Sequence, residues 1–570
     1  MSQEERQLFV AWILLAAMVA IGFFAGLHGE FTYDDKVEVI GNETVRSASN
    51  WRSIFEYNWA RPLVLGSFAI NYQVGGIDPF SYHLFNMILH VANVGLALLV
   101  IRQWLQLAKI PNVLFLSFTA AAIWAIHPLA TESVVYVTGR SELMVGFFAL
   151  YGFWLWNRWL LNGGLLLYWG AWLAVVGAGL CKESAAVVPV IYWLTARFLR
   201  PPEKQGVSGW FLLLPGLAML LGYAGIRWTL EGTLGHPNPQ RDMTTQLLTQ
   251  LEVVWAYIRL ALVPVGQSIF HDYPEAQLGI RPLIAGLGLL LVGIYGFRKR
   301  RSDPVPVFGA LFFLVWISPT VFIPLKETMA EHRTYLGLLG LTLIVVYGLS
   351  AFAQKIQRSL SFASIGVLLA LCIARSHVWK TEIRLWEDAA AKSPDSAEAH
   401  YGVGEAHFYS AARMDLSEKE RSQLNPVKGY KRAVELDDGY VEAWNKLGIA
   451  HAQRGEIFLA IGAWQALLSI DPKHCKAHTN LGKTFVMRGE TVKGLRELEA
   501  AVSYCPNHAL PHYFLGLLYQ SELDDPDKAI FHFQRLLGLE PDFECPFGKE
   551  VEGQFCVAED VRQMLNDLTW

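Results

Sequence analysis

The sequence predicts an all-α protein in two parts, a polytopic membrane domain of about eleven transmembrane helices followed by a C-terminal α-solenoid. Of its 570 residues, 53% are hydrophobic and only 17% are charged, and the mean hydropathy is +0.28. The apolar residues cluster into runs that are long enough to cross a membrane. In the C-terminal part of the chain, a sequence motif repeats every 34 residues. The net charge of −4 offers no basic face for nucleic acid.

The composition changes near Ser376, which divides the chain into a membrane domain, residues 1–376, and a repeat domain, residues 377–570. Apolar runs dominate before this point, and charged amphipathic helical patterns dominate after it. The predicted spans are 8–28, 84–101, 113–128, 143–160, 164–181, 184–197, 209–228, 281–297, 304–323, 333–353 and 359–376.

Basic residues set the orientation of these spans, because lysine and arginine concentrate in cytoplasmic loops. The basic positions fall on one side if the N-terminus is cytoplasmic: Arg102, Lys109, Arg158, Arg197, Arg200, Lys204, Arg298 to Arg301, Lys355 and Arg358. This arrangement requires that the apolar stretch 251–270 lies at the interface and does not cross. The external loops are then 29–83, 128–142, 181–184, 229–280 and 324–332.

The repeat domain is predicted from its period. Trp444, His478 and His512 are 34 residues apart, and a Leu-Gly pair follows each of them at the same distance. This is the spacing of tetratricopeptide repeats, in which stacked helix pairs form a concave surface. Such surfaces commonly hold an extended peptide, so we expect an acceptor protein or peptide as partner. The alternative is a structural spacer or a dimerisation arm.

Two adjacent carboxylates, Asp34 and Asp35, lie just beyond the first span in external loop 29–83. Ionisable groups at a membrane face are costly unless they have a function, and paired acids can supply a base and a partner that tunes it. The alternative is a helix cap or a solvated turn, where aspartate is common.

Other polar residues in the predicted external loops are unusual for a membrane protein. They are Arg61, His83, His127, Glu132, Arg140, Glu142, Lys182, Glu183, Glu331, His332 and Arg333. The functional site is therefore predicted to lie on the external side of the membrane. The six cysteines lack zinc-like spacing, and Cys545 and Cys556 are close enough in sequence to pair in an oxidising compartment.

Together these motifs resemble a known family. Their order is the acidic pair, Arg61-Pro-Leu63, His83-Leu-Phe-Asn86, His127-Pro-Leu-Ala-Thr-Glu132, Gly139-Arg-Ser-Glu142, Lys182-Glu183 and Glu331-His-Arg333, then the repeats. The series resembles the transmembrane and tetratricopeptide-repeat O-mannosyltransferases, within the multi-spanning glycosyltransferases of the C type (GT-C). Ser-Glu stands at 141–142 where the family suggests Ala-Asp, and the repeat array is short. These departures predict a prokaryotic member.

The resemblance implies a sugar donor carried on polyprenyl or dolichyl phosphate, and inverting transfer to Ser or Thr hydroxyls of an external protein. Inversion requires a base opposite the leaving group. The resemblance gives this role to Asp34 or Asp35, with Asp34 preferred. The second acid orients the first or holds a divalent metal, Mg or Mn, as the possible cofactor.

Cations are expected to receive the lipid phosphate, and Arg333, Arg140, Arg61 and Lys182 are the candidates. The alternative for several of them is an ion pair with a glutamate close in sequence, Glu142 for Arg140, Glu183 for Lys182 and Glu331 for Arg333. The expected supporting residues are His83, Glu132, Glu142, Glu183, Glu331 and His332. His83 and His127 are more often structural at helix ends.

Three other functions remain open from sequence. These are a non-catalytic scaffold that assembles an external complex, a glycosyltransferase for lipid or glycan acceptors, and a transporter. The ionisable residues lie in loops and not in the middle of spans, which weakens the transporter reading. The expected location is a bacterial inner membrane with the repeats in the periplasm, or alternatively the endoplasmic reticulum with the repeats in the lumen.

Overall fold

The computed structural model describes residues 2–47, 49–199, 213–232, 241–411, 417–541 and 558–569. All regular elements in these ranges are helical. The chain divides into two compact units, residues 1–392 and 393–570. This boundary lies after the helix that follows the last predicted span, so that helix belongs with the membrane unit.

The first unit contains sixteen described α-helices, joined by short 3₁₀ and π turns. The helices are α1 Gln3–Phe23, α2 Trp51–Tyr57, α3 Pro62–Gly75, α4 Pro79–Leu107, α5 Val113–Ala125, α6 Thr131–Val135, α7 Arg140–Asn162, α8 Leu165–Gly179, α9 Val188–Phe198, α10 Leu214–Glu231, α11 Met243–Leu262, α12 Ile280–Lys299, α13 Pro304–Phe322, α14 Gly337–Ser350, α15 Gln354–Val378 and α16 Glu382–Lys392. The 3₁₀ turns are Phe24–His28, Glu43–Arg46, Pro128–Ala130, Glu183–Val187 and Glu331–Thr334, and the π turn is Lys36–Ile40.

Five helices of the described part are both long enough and apolar enough to cross a membrane: Gln3–His28, Pro79–Leu107, Ile280–Lys299, Pro304–Phe322 and Gln354–Val378. A sixth is possible if α5 and the segment Pro128–Val135, which bend by 53°, form one span. The membrane domain is thus polytopic, but the predicted count of about eleven is not confirmed. Several predicted spans are short helices, such as α8 with 15 residues, and at 1.5 Å per residue such a helix does not cover a core of about 30 Å.

The core of the first unit fixes the segment that carries Glu331, His332 and Arg333. Tyr335, directly after this segment, is buried, and its hydroxyl lies 2.7 Å from His90 Nδ1. The indole of Trp124 donates to the Tyr335 carbonyl oxygen at 2.7 Å. These buried hydrogen bonds tie the segment to α4 and α5, since unpaired polar groups there would be costly.

The second unit is an array of helix pairs, as the 34-residue step predicts. Its helices are α17 Ala397–Ala411, α18 Glu418–Ser422, α19 Pro426–Leu436, α20 Val441–Gln453, α21 Ile457–Ile470, α22 Cys475–Met487, α23 Thr491–Tyr504, α24 Ala509–Ser521, α25 Pro526–Leu539 and α26 Ala558–Thr569. The repeated glycine allows the two helices of a pair to approach closely. A Cβ at Gly448 would lie 2.4 Å from Trp464, and one at Gly482 would lie 2.6 Å from Leu498.

A disulfide between Cys475 and Cys505 joins the start of α22 to the residue after α23. It therefore closes one helix pair of the array. The pair considered from sequence, Cys545 and Cys556, lies outside the described residues. Disulfides persist in oxidising compartments.

Candidate active site

Residues from four separate loops of the first unit surround a polar cavity of about 140 Å³. Its lining consists of Asp34, Glu38, Asn58, Arg61, Val64, Leu65, Phe68, Tyr136, Thr138, Gly139, Ser141, Lys182 and His332. We call this the polar cavity. Four residues selected from sequence, Asp34, Arg61, Lys182 and His332, thus meet in one place although up to 298 residues separate them in the chain.

The two adjacent aspartates have different surroundings. Asp35 is fully buried, and its two carboxylate oxygens accept the backbone N–H groups of Thr32 at 3.1 Å and Thr138 at 2.9 Å. Burial raises the pKa of Asp35 to about 7, although these two amides oppose the rise. Asp35 therefore joins the loop after α1 to the loop before α7, and it does not line the polar cavity.

Asp34 lines the polar cavity, and its side chain is exposed there. Its backbone N–H donates to the hydroxyl oxygen of Tyr136 at 3.0 Å. Partial burial, followed by the charge of Glu327, raises the pKa of Asp34, and Tyr136 and His332 oppose the rise. An accessible carboxylate with a raised pKa is suited to accept a proton. The geometry thus favours Asp34 over Asp35 as the base.

The two cations of the cavity, Arg61 and Lys182, are held by carboxylates from distant parts of the chain. Arg61 Nη2 lies 3.1 Å from Glu183 Oε2, and Lys182 Nζ lies 2.6 Å from Glu142 Oε1. Lys182 therefore pairs with a glutamate of α7 and not with its neighbour Glu183. Both cations keep part of their side chains exposed, so a ligand in the cavity can reach them.

Arg140 does not line the polar cavity. It is fully buried, and its guanidinium donates to side-chain oxygens of Asn86 at 2.7 Å and Asn71 at 2.7 Å. Further N–H groups donate to Ser67 and to the Tyr82 carbonyl oxygen. These partners are neutral, and they brace α3 and α4 against the start of α7. The expected pairing with Glu142 is replaced by these contacts, and the geometry favours a structural role for Arg140 over phosphate binding.

Arg333, the other leading candidate for phosphate, is also buried and is not among the residues that line the cavity. It donates to the Glu327 carbonyl oxygen at 3.0 Å, and its Nη2 lies 3.7 Å from Glu327 Oε2. Its partner is therefore Glu327 and not Glu331. The charge of Glu327, in turn, raises the pKa of Asp34. Its direct contact with phosphate stays a prediction.

The glutamates around this segment each hold a histidine. His332 Nδ1 lies 2.6 Å from Glu132 Oε1, and the His332 backbone N–H donates to Glu132 at 3.0 Å. Glu331 is fully buried and accepts from the Ser268 N–H at 2.7 Å, and His271 Nε2 lies 2.8 Å from it. Glu132 thus orients the one histidine that lines the cavity, whereas Glu331 anchors the loop after α11.

The two remaining histidines lie outside the cavity. His127 accepts the Leu129 N–H at Nδ1, at 3.1 Å, and donates from Nε2 to the Ala261 carbonyl oxygen, at 3.0 Å. It is thus a neutral cap for the Pro128–Ala130 turn. His83 is buried on α4, beside the backbone of Gly29. Both placements favour structural roles.

Sequence reasoning missed Glu38, the second carboxylate of the polar cavity. Glu38 lies in the π turn Lys36–Ile40, and its N–H donates to the Asp34 carbonyl oxygen at 2.8 Å. Burial raises the pKa of Glu38, Arg61 lowers it and Asp34 raises it further. The available signal was its position four residues after Asp34, which puts two acids on one face of a helical turn.

A metal site is not assembled by the described residues, since no three histidine, cysteine, aspartate or glutamate side chains are grouped there in a way that would hold an ion. Both oxygens of Asp35 are already engaged by backbone amides. The pair Asp34-Asp35 therefore does not present two carboxylates to one ion. Binding of Mg or Mn stays a prediction.

An apolar groove of about 500 Å³ adjoins the polar cavity. It is lined by Phe55, Trp59, Ala60, Val175, Val176, Gly179, Leu180, Glu183, Ala185, Ala186, Pro189, Gly216, Met219, Leu220, Gly222, Tyr223, Ile226 and Leu230. Glu183 lines this groove and pairs with Arg61 of the polar cavity, so the two spaces meet at this ion pair. The stretch 251–270, which was predicted to lie at the membrane interface, does not contribute to this lining.

These features define a polytopic membrane protein with a polar cavity, an adjoining apolar groove and a helical repeat array. No protein-family model matches the chain. The chain is 24% identical over 461 residues to the protein O-mannosyl-transferase F38B6.6 of Caenorhabditis elegans, which covers 75% of this chain and 63% of that protein. It is 25% identical over 481 residues to the protein O-mannosyl-transferase TMTC4 of Mus musculus, covering 70% and 64%.

The chain is thus similar to the transmembrane and tetratricopeptide-repeat O-mannosyltransferases, which confirms the predicted resemblance. It spans a little under two thirds of the length of these two relatives. Among solved structures, the chain is similar to the crystal structure of MamA, with 24% identity and a TM-score of 0.24 over 28% of this chain and 86% of that chain. The prokaryotic origin stays a prediction.

Proposed function

We propose that this chain is a membrane protein O-glycosyltransferase that transfers a sugar from a polyprenyl-phosphate carrier to Ser or Thr hydroxyls of an external acceptor protein. The observation that carries the proposal is the polar cavity, in which the exposed carboxylate of Asp34 faces the same space as Arg61 and Lys182. The names of the relatives support mannose as the sugar.

The reaction needs one displacement at the anomeric carbon. Asp34 takes the proton from the acceptor hydroxyl, and the hydroxyl oxygen forms a bond to the anomeric carbon. The bond from that carbon to the phosphate oxygen breaks, and the electron pair leaves with the lipid phosphate. Attack opposite the leaving group inverts the anomeric configuration. The proton is thus transferred to Asp34 and the glycosyl group to the acceptor oxygen, and no redox partner is needed.

The leaving phosphate gains negative charge, which Arg61 and Lys182 are placed to stabilise. Glu183 and Glu142 hold these two cations in position before the donor arrives. Stabilisation by groups that are already oriented avoids reorganisation during the reaction. Because Asp34, Arg61 and Lys182 line one cavity, an acceptor hydroxyl at Asp34 and a donor phosphate at the two cations would lie in the same space.

The apolar groove supports a lipid-linked donor. Its lining is almost entirely aliphatic and aromatic, with Glu183 as the charged exception, at the end shared with Arg61. A phosphate at Arg61 would place its lipid chain in the groove, because apolar surface favours isoprenoid chain over water. A soluble sugar nucleotide would leave this groove empty.

The disulfide of the second unit supports placing the repeats in an oxidising compartment, such as a periplasm or the lumen of the endoplasmic reticulum. In this proposal, the repeat array recruits the acceptor peptide from that side. A scaffold function and a lipid or glycan acceptor are the competing outcomes of the test below.

The test uses the full chain, purified and reconstituted in liposomes with polyprenyl-phosphate mannose and a set of Ser- and Thr-containing peptides. Intact mass spectrometry should show a hexose added to peptide by the wild-type protein, and the rate of this addition should fall to a small residual value in Asp34→Asn. Transfer at the wild-type rate in Asp34→Asn would contradict the assigned base. Transfer to lipid or glycan alone would replace the acceptor class, and absence of transfer would favour the scaffold.

A further inference from the structure

The residue before Asp34 has an unusual backbone conformation. Tyr33 has a φ of +49°, in the left-handed region, which residues other than glycine rarely adopt. A bulky side chain in this region is strained unless its surroundings hold it there, and such strain is found mostly at functional sites. The conformation of Tyr33 sets the direction in which the chain continues into Asp34.

The contacts that hold Tyr33 come largely from α16, the helix after the last span. The Tyr33 N–H donates to Glu382 Oε1 at 3.4 Å, and the Tyr33 ring packs against Trp386 with centroids 6.0 Å apart. On the opposite side, the Tyr33 hydroxyl donates to Glu327 at 3.2 Å. The residue is thus fixed at its backbone, its ring and its hydroxyl.

Glu382 also binds the chain on both sides of the aspartate pair. Its Oε2 forms an ion pair with Lys36 Nζ, and its backbone N–H donates to Glu30 Oε2 at 3.3 Å. The Glu382 side chain is only 9% exposed, so solvent screens this ion pair weakly. The Glu382 carboxylate therefore holds Tyr33 and Lys36 on either side of the aspartate pair, and its backbone N–H holds Glu30.

We infer that Glu382 and Trp386 are positioning residues for Asp34: α16 clamps the strained segment Glu30–Lys36 so that the Asp34 carboxylate lies in the polar cavity. The role of Asp34 as base rests on the proposed function. Neither residue of α16 lines the cavity, and each acts through the loop that it holds.

Other contacts keep α16 in place when Glu382 is changed. Asp388 accepts from Arg375 at 2.8 Å, and Lys392 donates to the Gln267 carbonyl oxygen at 2.6 Å. The helix also buries Leu385 and Ala389. A change at Glu382 should therefore release the loop without detaching the helix, so the variant remains informative.

The experiment compares Glu382→Gln, Glu382→Ala and Trp386→Leu with Glu387→Gln, an exposed carboxylate on the same helix. We expect Glu382→Ala to lower kcat by about 10²-fold, the loss that a misplacement of about 1 Å can produce, with the donor KM unchanged. Glu382→Gln and Trp386→Leu should show smaller losses in kcat, and Glu387→Gln should match the wild type.

A double variant separates positioning from a general structural effect. If Glu382 acts through Asp34, then Asp34→Asn with Glu382→Ala should be no slower than Asp34→Asn alone. Losses that multiply in the double variant would overturn the inference. So would a Glu382→Ala protein with the kcat of the wild type.

Hydrogen exchange tests the clamp without any enzyme assay. The amides of residues 32–38 should exchange faster in Glu382→Ala than in Glu387→Gln, while those of α14 keep the same rate. Unchanged exchange at 32–38 would overturn the clamp even if transfer is robust. Transfer at the wild-type rate in Asp34→Asn would instead overturn the proposed base, so the two failures are distinguishable.

Discussion

Charged residues are used differently in the two units of this protein. Around the polar cavity, ion pairs join distant segments, and two of them have a buried carboxylate: Lys182 pairs with Glu142, whose side chain is 3% exposed, and Lys36 pairs with Glu382, whose side chain is 9% exposed. In the repeat array, many pairs are local and open to solvent, such as Arg488 with Glu490 and Lys493 with Glu490.

This difference shows where charge has a specific task. Local pairs on exposed helices form easily and are screened by solvent, so they contribute little to structure. Buried pairs between loops cost desolvation and are destabilising when one partner is removed. The first unit has such a pair, Lys182 with Glu142, at the cavity where Asp34, Arg61 and Lys182 meet.

The largest effect is expected from the cations of the polar cavity. Arg61→Gln and Lys182→Gln should each lower kcat by about 10²-fold, because each removes a preoriented charge from the leaving phosphate. Steady-state kinetics with a fixed acceptor peptide measures this loss. Arg52→Gln is the control, since Arg52 forms an exposed pair with Glu56 outside the cavity. Equal losses of kcat in Arg61→Gln and Arg52→Gln would show that the ion pair at the cavity has no more specific function than an exposed local pair.

Asp35→Asn should reduce stability more than it affects chemistry. An asparagine offers one oxygen to two backbone N–H donors, which leaves a buried donor unpaired at a cost of about 1–3 kcal/mol. Chemical denaturation in detergent should show this decrease in the free energy of unfolding for Asp35→Asn and little change for Asp34→Asn. The reverse order would show that the two aspartates have exchanged roles.

A bulky side chain in the apolar groove should weaken donor binding. Ala186→Phe is expected to raise the donor KM about tenfold, because it displaces roughly two methylene groups of lipid from the groove at about 0.8 kcal/mol each. Val190→Phe is the control, because Val190 is exposed but does not line the groove. An unchanged KM in Ala186→Phe would place the lipid chain elsewhere.

The smallest effect is expected from the repeat array. Arg488→Gln removes one side of a local pair, which is part of an exposed surface, and should leave the melting temperature and kcat unchanged within error. Differential scanning calorimetry and the transfer assay check this. A clear loss of kcat would show that charge in the second unit is as specialised as charge around the cavity.

Much of the fold follows from sequence periodicity. The 34-residue step predicted helix pairs, and the buried Gly448 explains the repeated Leu-Gly motif by the close approach of Trp464. The predicted span count is not confirmed. An apolar run does not reveal whether its helix is long enough to cross: the predicted span 184–197 begins with the 3₁₀ turn Glu183–Val187 before α9. Composition also placed α16 with the repeats, whereas its contacts place it with the membrane unit.

Some members of the candidate site were predicted from sequence, but their pairings were not. Asp34, Arg61, Lys182 and His332 do meet in one cavity. The alternative considered from sequence paired Lys182 with its neighbour Glu183, whereas the structure pairs Lys182 with Glu142, which is 40 residues away. Such pairings depend on how loops fold over one another, and no local pattern encodes them. The same limit hid the clamp on Tyr33, whose partner Glu382 is 349 residues away.

The role of Asp34 as the base is tested most directly by the pH dependence of kcat/KM for transfer. Asp34 acts as a base only when it is deprotonated, and its pKa is raised, so the rate should rise with pH through a value above the ordinary aspartate range. Glu327→Gln removes a charge that raises this pKa and should move the acid limb to lower pH. In Asp34→Asn, the small residual rate should lose the limb. An unchanged acid limb in Asp34→Asn would contradict the central claim that Asp34 takes the acceptor proton.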